Sequence, residues 1–302
     1  MAKKASFSKH ISWRLEVLAY DILRTLMIPF SFDHISAFGG WLLRKIGPMT
    51  SKHHIARTGL KIAFPDADET QINQWLTEQW DNIGRTFAEF PIMHRVKVFE
   101  DDRITLQGIE NLERFNGDEV AVMVSGHFAN WEVMAAVFAQ AGLPVQVTYR
   151  RINNPYMDKR VRDQRTAYGI NLLIPKSGAK GARQLLESLR SGESVALLND
   201  QKFNEGVSIP FFGEPAMTAP GPARLALRSG KPVLMMSVTR DKAKFIFKVE
   251  EPFYVTPSGD RHKDIEDGVN KITGFIEDRI RVNPAQWFWV HRRWPKEVYR
   301  ET

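Results

Sequence analysis

The chain has 302 residues, a net charge of +7 and a pI near 9.5, with 43% apolar and 25% charged residues. That is an ordinary globular composition, long enough for one large α/β domain or two smaller ones, and the absence of cysteine excludes disulfides, thiolate metal sites and cysteine nucleophiles. The basic balance favours anionic partners such as anionic lipid, a phosphorylated substrate or an acidic carrier protein, and with no Lys/Arg run and no zinc-finger or RNA-binding signature, nucleic acid is set aside.

Residues 1–10 are polar and basic, with Lys3, Lys4 and Lys9. Leu15–Leu43 is rich in Leu, Ile, Phe and Trp, but Asp21, Arg24, Pro29, Asp33 and His34 interrupt it. No charge-free run reaches the roughly 18 residues that a membrane-spanning helix needs, and no cleavage site marks a signal peptide. The stretch is expected either to lie on a membrane surface, its basic residues against anionic headgroups, or to form two amphipathic helices packed on the domain. Residues 51–100 read as helical. The spacing predicts a helix over 71–90, capped by Asp68, with Trp75, Leu76, Trp80, Ile83, Phe87 and Phe90 as a core-facing stripe. Ile104–Leu106 reads as a short strand.

Val120–Val124 is an unbroken apolar run, suited to a strand buried on both faces of a parallel sheet. Ser125-Gly126 ends it and His127 follows. A polar residue in that position lies where open α/β sheets keep their ligands. Asn130 can cap a helix from Trp131 that stops at Gly142. Beyond it strands and helices alternate: strands over 144–150, 171–175 and 194–198, helices over 155–168, 179–190 and 219–228, a loop over 203–213, strands over 232–239 and 244–255, the second of these open to an antiparallel placement, and a helix over 264–282. This alternation predicts a mostly parallel central sheet flanked by helices, divided as a helical segment over 1–50 and an α/β domain over 51–302.

Polar residues close three of these strands. His127 stands five positions before Glu132. With His127 in the turn and Glu132 in the first helical turn, a carboxylate on one ring nitrogen would fix the tautomer and free the other nitrogen to take a proton from a substrate hydroxyl. The alternative is that His127 caps the turn and Glu132 is a solvated helix residue. Arg150 closes an apolar strand, and its fork suits phosphate or a developing oxyanion. Asp200 can bind a metal, orient Arg150 or cap a loop. No P-loop, dinucleotide fingerprint, zinc-protease motif or nucleophile elbow is present.

Taken in order, these residues resemble the lipid A late acyltransferases, the lauroyl and myristoyl transferases of Gram-negative bacteria, within the wider glycerolipid acyltransferase superfamily. The resemblance rests on His127–Glu132 in HFANWE, on Tyr149-Arg150, Asn154-Pro155, Asp158 and Arg165, on Asp200-Gln201 with Pro210–Gly213, on Thr218 with Gly221-Pro222-Ala223, and on Gln286–Trp294. It covers nearly the whole chain, and departs from the family only where the usual N-terminal hydrophobic anchor is interrupted by charge. The resemblance implies a glycerolipid-acyltransferase-like fold with a membrane-associated N-terminal extension, at the cytoplasmic face of the inner membrane. It implies transfer of a fatty acyl chain from an acyl carrier protein thioester to a hydroxyl of a phosphorylated glycolipid, the lipid A precursor, with no metal or cofactor. His127 and Glu132 would be catalytic, the second orienting the first. Arg150, Asn154, Asp158, Arg165 and Asp200 would bind substrate. The alternative acceptors are a glycerol phosphate, a lysophosphatidate or another membrane glycolipid, and from another class stands a non-catalytic module docking on anionic lipid.

Overall fold

A computed structural model describes residues 6–173 and 178–300; Lys3, Lys4 and the last two residues of the strand predicted over 171–175 lie outside them. Four helices lead the chain: α1 (Phe7–Leu26), α2 (Phe32–Ile46), α3 (Ser51–Ala63) and α4 (Glu69–Glu89). Then come β1 (Ile104–Gln107), α5 (Ile109–Glu113), β2 (Val122–Ser125), α6 (Glu132–Gln140), β3 (Val145–Thr148), α7 (Pro155–Ala167), β4 (Asn171–Leu173), α8 (Gly178–Arg190) and β5 (Ser194–Leu198). The remainder is β6 (Lys202–Phe211), β7 (Glu214–Thr218), α9 (Gly221–Ser229), β8 (Val233–Asp241), β9 (Lys244–Val249) and α10 (Arg261–Val282).

Seven strands form one sheet in the order β1-β9-β8-β2-β5-β3-β4. β8, β2, β5, β3 and β4 run parallel, and β9 turns back antiparallel on β8. The parallel part uses helical crossovers, as parallel pairing requires. β2 lies at the centre with every residue buried. Its side chains alternate between the two faces: Val122 and Val124 join a core with Leu60, Leu225 and Ile272, whereas Met123 joins one with Val133, Val137 and Phe247. Both faces are therefore dry, which is why this strand reads as a continuous apolar run.

Two readings change on the structure, and one left open is resolved. Most of the predicted loop over 203–213 is strand: residues 203–211 belong to β6, which pairs antiparallel with β7 in a separate hairpin turning at Phe212-Gly213. Ile209 and Phe211 are buried at alternate positions, and this short alternation is masked in the sequence by Asn204, Gly206 and Pro210. Phe87 is 54% exposed rather than core-facing. The antiparallel option for the strand beginning at Lys244 is the one adopted.

The N-terminal helices use their apolar residues differently. α2 packs tightly on α4, because a Cβ at Gly39 would lie 2.4 Å from the Gly84 carbonyl oxygen and one at Gly84 would lie 2.1 Å from that of Gly39. α1 buries no residue. It is tied to α7 by polar contacts, with Tyr20 donating to Gln164 and Arg160 paired to Asp21, and it leaves Leu15, Leu18, Ile22 and Leu26 exposed. Among the described residues no helix is long and apolar enough to cross a membrane.

Candidate active site

The parallel pairing of β2 with β5 sets Ser125 opposite Leu198. His127 and Asp200 each follow two residues later, so two strands 73 positions apart in sequence deliver an imidazole and a carboxylate to one level above the sheet. Asp200 Oδ1 lies 2.7 Å from His127 Nδ1, and Oδ2 accepts the backbone N–H of His127 at 2.8 Å and Trp287 Nε1–H at 2.7 Å. Gly126 allows this approach, because a Cβ there would stand 2.9 Å from the Phe128 ring and 3.4 Å from Asp200 Cβ. Burial alone would raise the pKa of Asp200, which is 2% exposed. The charge and hydrogen bonds of His127, with the Trp287 donor, outweigh that and hold it at about 2. An ionised Asp200 can only accept, so Nδ1 carries the proton and Nε2 keeps its lone pair for the cleft.

Glu132 does not orient His127. It is buried at the start of α6 with both oxygens on Arg165 of α7, one of them 3.2 Å from Arg165 Nε. The carboxylate that orients the ring is Asp200. Arg165 is likewise engaged within the protein, stacked 5.1 Å from the Tyr149 ring and 5.2 Å from Phe90. Asn154 caps α7, accepting from the N–H groups of Tyr156 and Met157 and donating to Trp13 O and to Glu16. Asp158 accepts from the Tyr149 hydroxyl, the Ile152 N–H and Arg162. Burial and the Asp158 charge push the Tyr149 hydroxyl up to about 12, so it stays a donor. Asn154, Asp158 and Arg165 thus brace α7 against α1, β3 and α6, and Arg165 with Glu132 also lines the cavity beside His127.

This assigns Glu132 an effect on stability. Removing one partner of a buried pair leaves the other charge uncompensated. Glu132→Gln is expected to lower the unfolding free energy by roughly 3 kcal/mol, measured by urea denaturation, and adding Arg165→Met to recover much of it. Unchanged stability with collapsed turnover would return Glu132 to the chemistry.

Arg150 is the predicted substrate residue that stays open. It is exposed just past β3, makes no ion pair among the described residues, and lines two adjoining spaces. One is a cavity of about 210 Å³ running from His127 between α6 and the sheet, with Trp131, Met134, Phe138, Ile170 and Met236 among its apolar walls and Glu132, Thr148, Tyr149 and Arg165 among its polar ones. The other is a wide cleft of about 1170 Å³ bounded by Arg150, Arg151, Gln201, Phe203 and His291. His291 was not singled out by sequence beyond its place in the C-terminal block. Its ring centroid lies 6.3 Å from that of His127, and burial, then the nearby His127, hold its pKa below the ordinary 6.5. Gln201 brings its side-chain nitrogen within 3.5 Å of His127 Nε2. Among the described residues no three His, Asp or Glu gather as a metal-ligand set.

The arrangement is a base held in one tautomer at the junction of a narrow cavity with mixed apolar and polar walls and a basic cleft. It can take a proton from a hydroxyl in the cleft while an apolar chain occupies the cavity. In sequence, the family described as bacterial lipid A biosynthesis acyltransferase matches residues 1–296. The chain is 27% identical over 260 residues to the lipid A biosynthesis palmitoleoyltransferase of Escherichia coli, covering 80% of this chain and 78% of that one. It is 25% identical over 292 residues to a lipid A biosynthesis acyltransferase of Haemophilus influenzae, covering 93% and 87%. It is also 26% identical over 225 residues to a phosphatidylinositol mannoside acyltransferase of Mycobacterium tuberculosis, covering 72% and 68%.

Proposed function

This chain belongs to the bacterial lipid A biosynthesis acyltransferase family, and from that premise we propose that it moves a fatty acyl chain from an acyl carrier protein thioester to a hydroxyl of a lipid A precursor at the cytoplasmic face of the inner membrane. The observation that carries this reading is the His127–Asp200 pair at the mouth of the narrow cavity beneath α6. The acyl chain fills that cavity and sets the thioester carbonyl beside Nε2. The acceptor lies in the cleft, its phosphate within reach of Arg150 and Arg151. Nε2 takes the hydroxyl proton as the oxygen attacks the carbonyl carbon; the tetrahedral oxyanion collapses, the C–S bond breaks, and the imidazolium returns its proton to the departing thiolate. Asp200 stabilises the transient imidazolium. The acidic carrier and the phosphorylated acceptor both match the net charge of +7.

The test is mass spectrometry of lipid A from a strain lacking the gene, with the purified enzyme assayed on carrier-protein and coenzyme A thioesters. Loss of one acyl chain in vivo and preference for the carrier protein in vitro support the reading. Unaltered lipid A refutes the acceptor. One other acceptor class has an observation in its favour: the similarity to phosphatidylinositol mannoside acyltransferases supports another membrane glycolipid, which the same enzyme assay distinguishes.

Arg150→Lys is expected to be severe. A guanidinium makes a planar two-pronged contact that an ammonium cannot, and losing one oxyanion donor costs about 10²–10³ in turnover. A purified Arg150→Lys enzyme turning over within about threefold of wild type, far from that loss, places Arg150 outside the site.

The membrane association rests on α1. Its Leu15, Leu18 and Leu26 are more than half exposed among the described residues. Replacing all three by Asp is expected to weaken binding to anionic vesicles at least about tenfold per residue, with thermal stability unchanged because none is buried. Unaltered vesicle binding sinks the assignment of this helix.

A further inference from the structure

The turn that carries His127 is not self-supporting. Ala129 has φ +43, a left-handed conformation that residues with a Cβ rarely adopt. Such a conformation persists only where its surroundings impose it. Here two groups outside the cleft do so directly. Gln286 O accepts the Ala129 N–H at 2.7 Å, and Thr86 Oγ1 donates to Ala129 O at 2.9 Å. The next residue, Asn130, is fully buried and donates to Glu89 Oε2 at 2.7 Å.

All three supports converge on one ion pair. Glu89 is completely buried and Arg240 has a side chain 4% exposed. Arg240 Nη1 and Nη2 each donate to a Glu89 oxygen at 2.8 Å, and Nη2 also donates to Thr86 Oγ1 at 3.0 Å. The Arg240 backbone in turn clamps Gln286, its N–H donating to Oε1 and its carbonyl accepting from Nε2, both at 2.9 Å. Glu89 holds Asn130 and Arg240 holds Thr86 and Gln286, so the turn is gripped through both members of the pair. A buried pair of this kind is weak evidence of stability, since well-packed apolar residues often serve as well. Apolar residues could not present oxygens to Asn130.

We propose that Glu89 and Arg240 are positioning residues for the acyl transfer, fixing the 127–130 turn so that the His127 ring stays aligned with Asp200. The proposal rests on the reading of His127 as the base. Glu89→Gln keeps the shape, but its amide must turn an N–H toward Asn130 or toward Arg240, both of which are already donors. Thr86→Val is isosteric and deletes only the hydroxyl, and Thr86→Ser keeps it.

The experiment assays full-length enzyme on a carrier-protein thioester and a lipid A precursor, alongside circular dichroism and the low-field proton resonance of the His127–Asp200 hydrogen bond. Misplacing a catalytic group by about 1 Å can cost on the order of 10²-fold. Glu89→Gln and Thr86→Val are expected to lower kcat by about that factor with KM for the thioester changed less than about threefold, and to shift or abolish the resonance. Thr86→Ser is expected to restore both. If Glu89→Gln does not fold, Thr86→Val carries the test, since it removes no charge. A folded Thr86→Val enzyme with wild-type kcat and an unmoved resonance overturns the proposal while leaving His127 as the base. An active His127→Ala enzyme overturns the reading of the site itself, and the proposal with it.

Discussion

His127→Ala is expected to lower turnover by about 10²–10⁴-fold, the usual worth of a general base, because a hydroxyl must lose its proton as it attacks the thioester. The fold survives this change. The ring lines the cleft, and Asp200 keeps the Trp287 donor and the backbone N–H of residue 127. The measurement is acyl transfer with circular dichroism and a thermal melt on the same preparation. A folded variant retaining about a tenth of wild-type turnover, well above the loss expected of a missing base, means the base is elsewhere.

Asp200→Asn is expected to be as damaging, by about 10³–10⁴-fold, the scale seen when the orienting carboxylate of a serine-protease triad becomes an amide. An amide at this position can present its N–H to Nδ1. The proton then moves to Nε2, which no longer accepts from the acceptor hydroxyl. The double variant with His127→Ala is expected to be no worse than the worse single one, since the two act as a unit. Wild-type turnover in a folded Asp200→Asn enzyme would remove Asp200 from the mechanism. The sign of the pH effect is fixed too. The folded pKa of about 2 lies below the ordinary 3.8, so this carboxylate contributes fully to stability above pH 3.8, and the contribution is lost as pH falls through about 2. Asp200→Asn should therefore flatten acid unfolding in that window, checked by melts at descending pH.

His127 was legible in the sequence because β2 is buried on both faces and breaks at Ser125-Gly126. Its true partner was not. Glu132 is five residues away and Asp200 is 73, and short-range spacing favours the near one. The signal for Asp200 was its own place two residues past an apolar strand, matching that of His127. Using it requires knowing that β5 sits between β2 and β3, and that order follows from packing, not from local pattern. Asn154, Asp158 and Arg165 form a polar group around one helix, and polarity alone does not separate bracing from binding. Thr86, Glu89 and Arg240 gave no sign, because each is a single polar residue in an otherwise unremarkable helix or strand, and only their convergence marks them. The hairpin of β6 and β7 was hidden because a two-stranded ribbon buries only alternate residues, whereas Asn204, Gly206 and Pro210 read locally as a turn.

The place of β2 in the sheet also governs how the chain can be made. Its two neighbours, β5 and β8, both follow it in the sequence. A chain emerging from the ribosome therefore presents an apolar strand that has no partner until residues 194–198 appear, and only one until 233–241 are out. Over that interval it is exposed to misassociation, as unpaired apolar strands are. Pairing across such sequence separations is slow. Activity on refolding from denaturant should accordingly return only with this central pairing, after α3 and α4 have regained their helicity, and chaperone capture during synthesis should be strongest for chains stalled between β2 and β5.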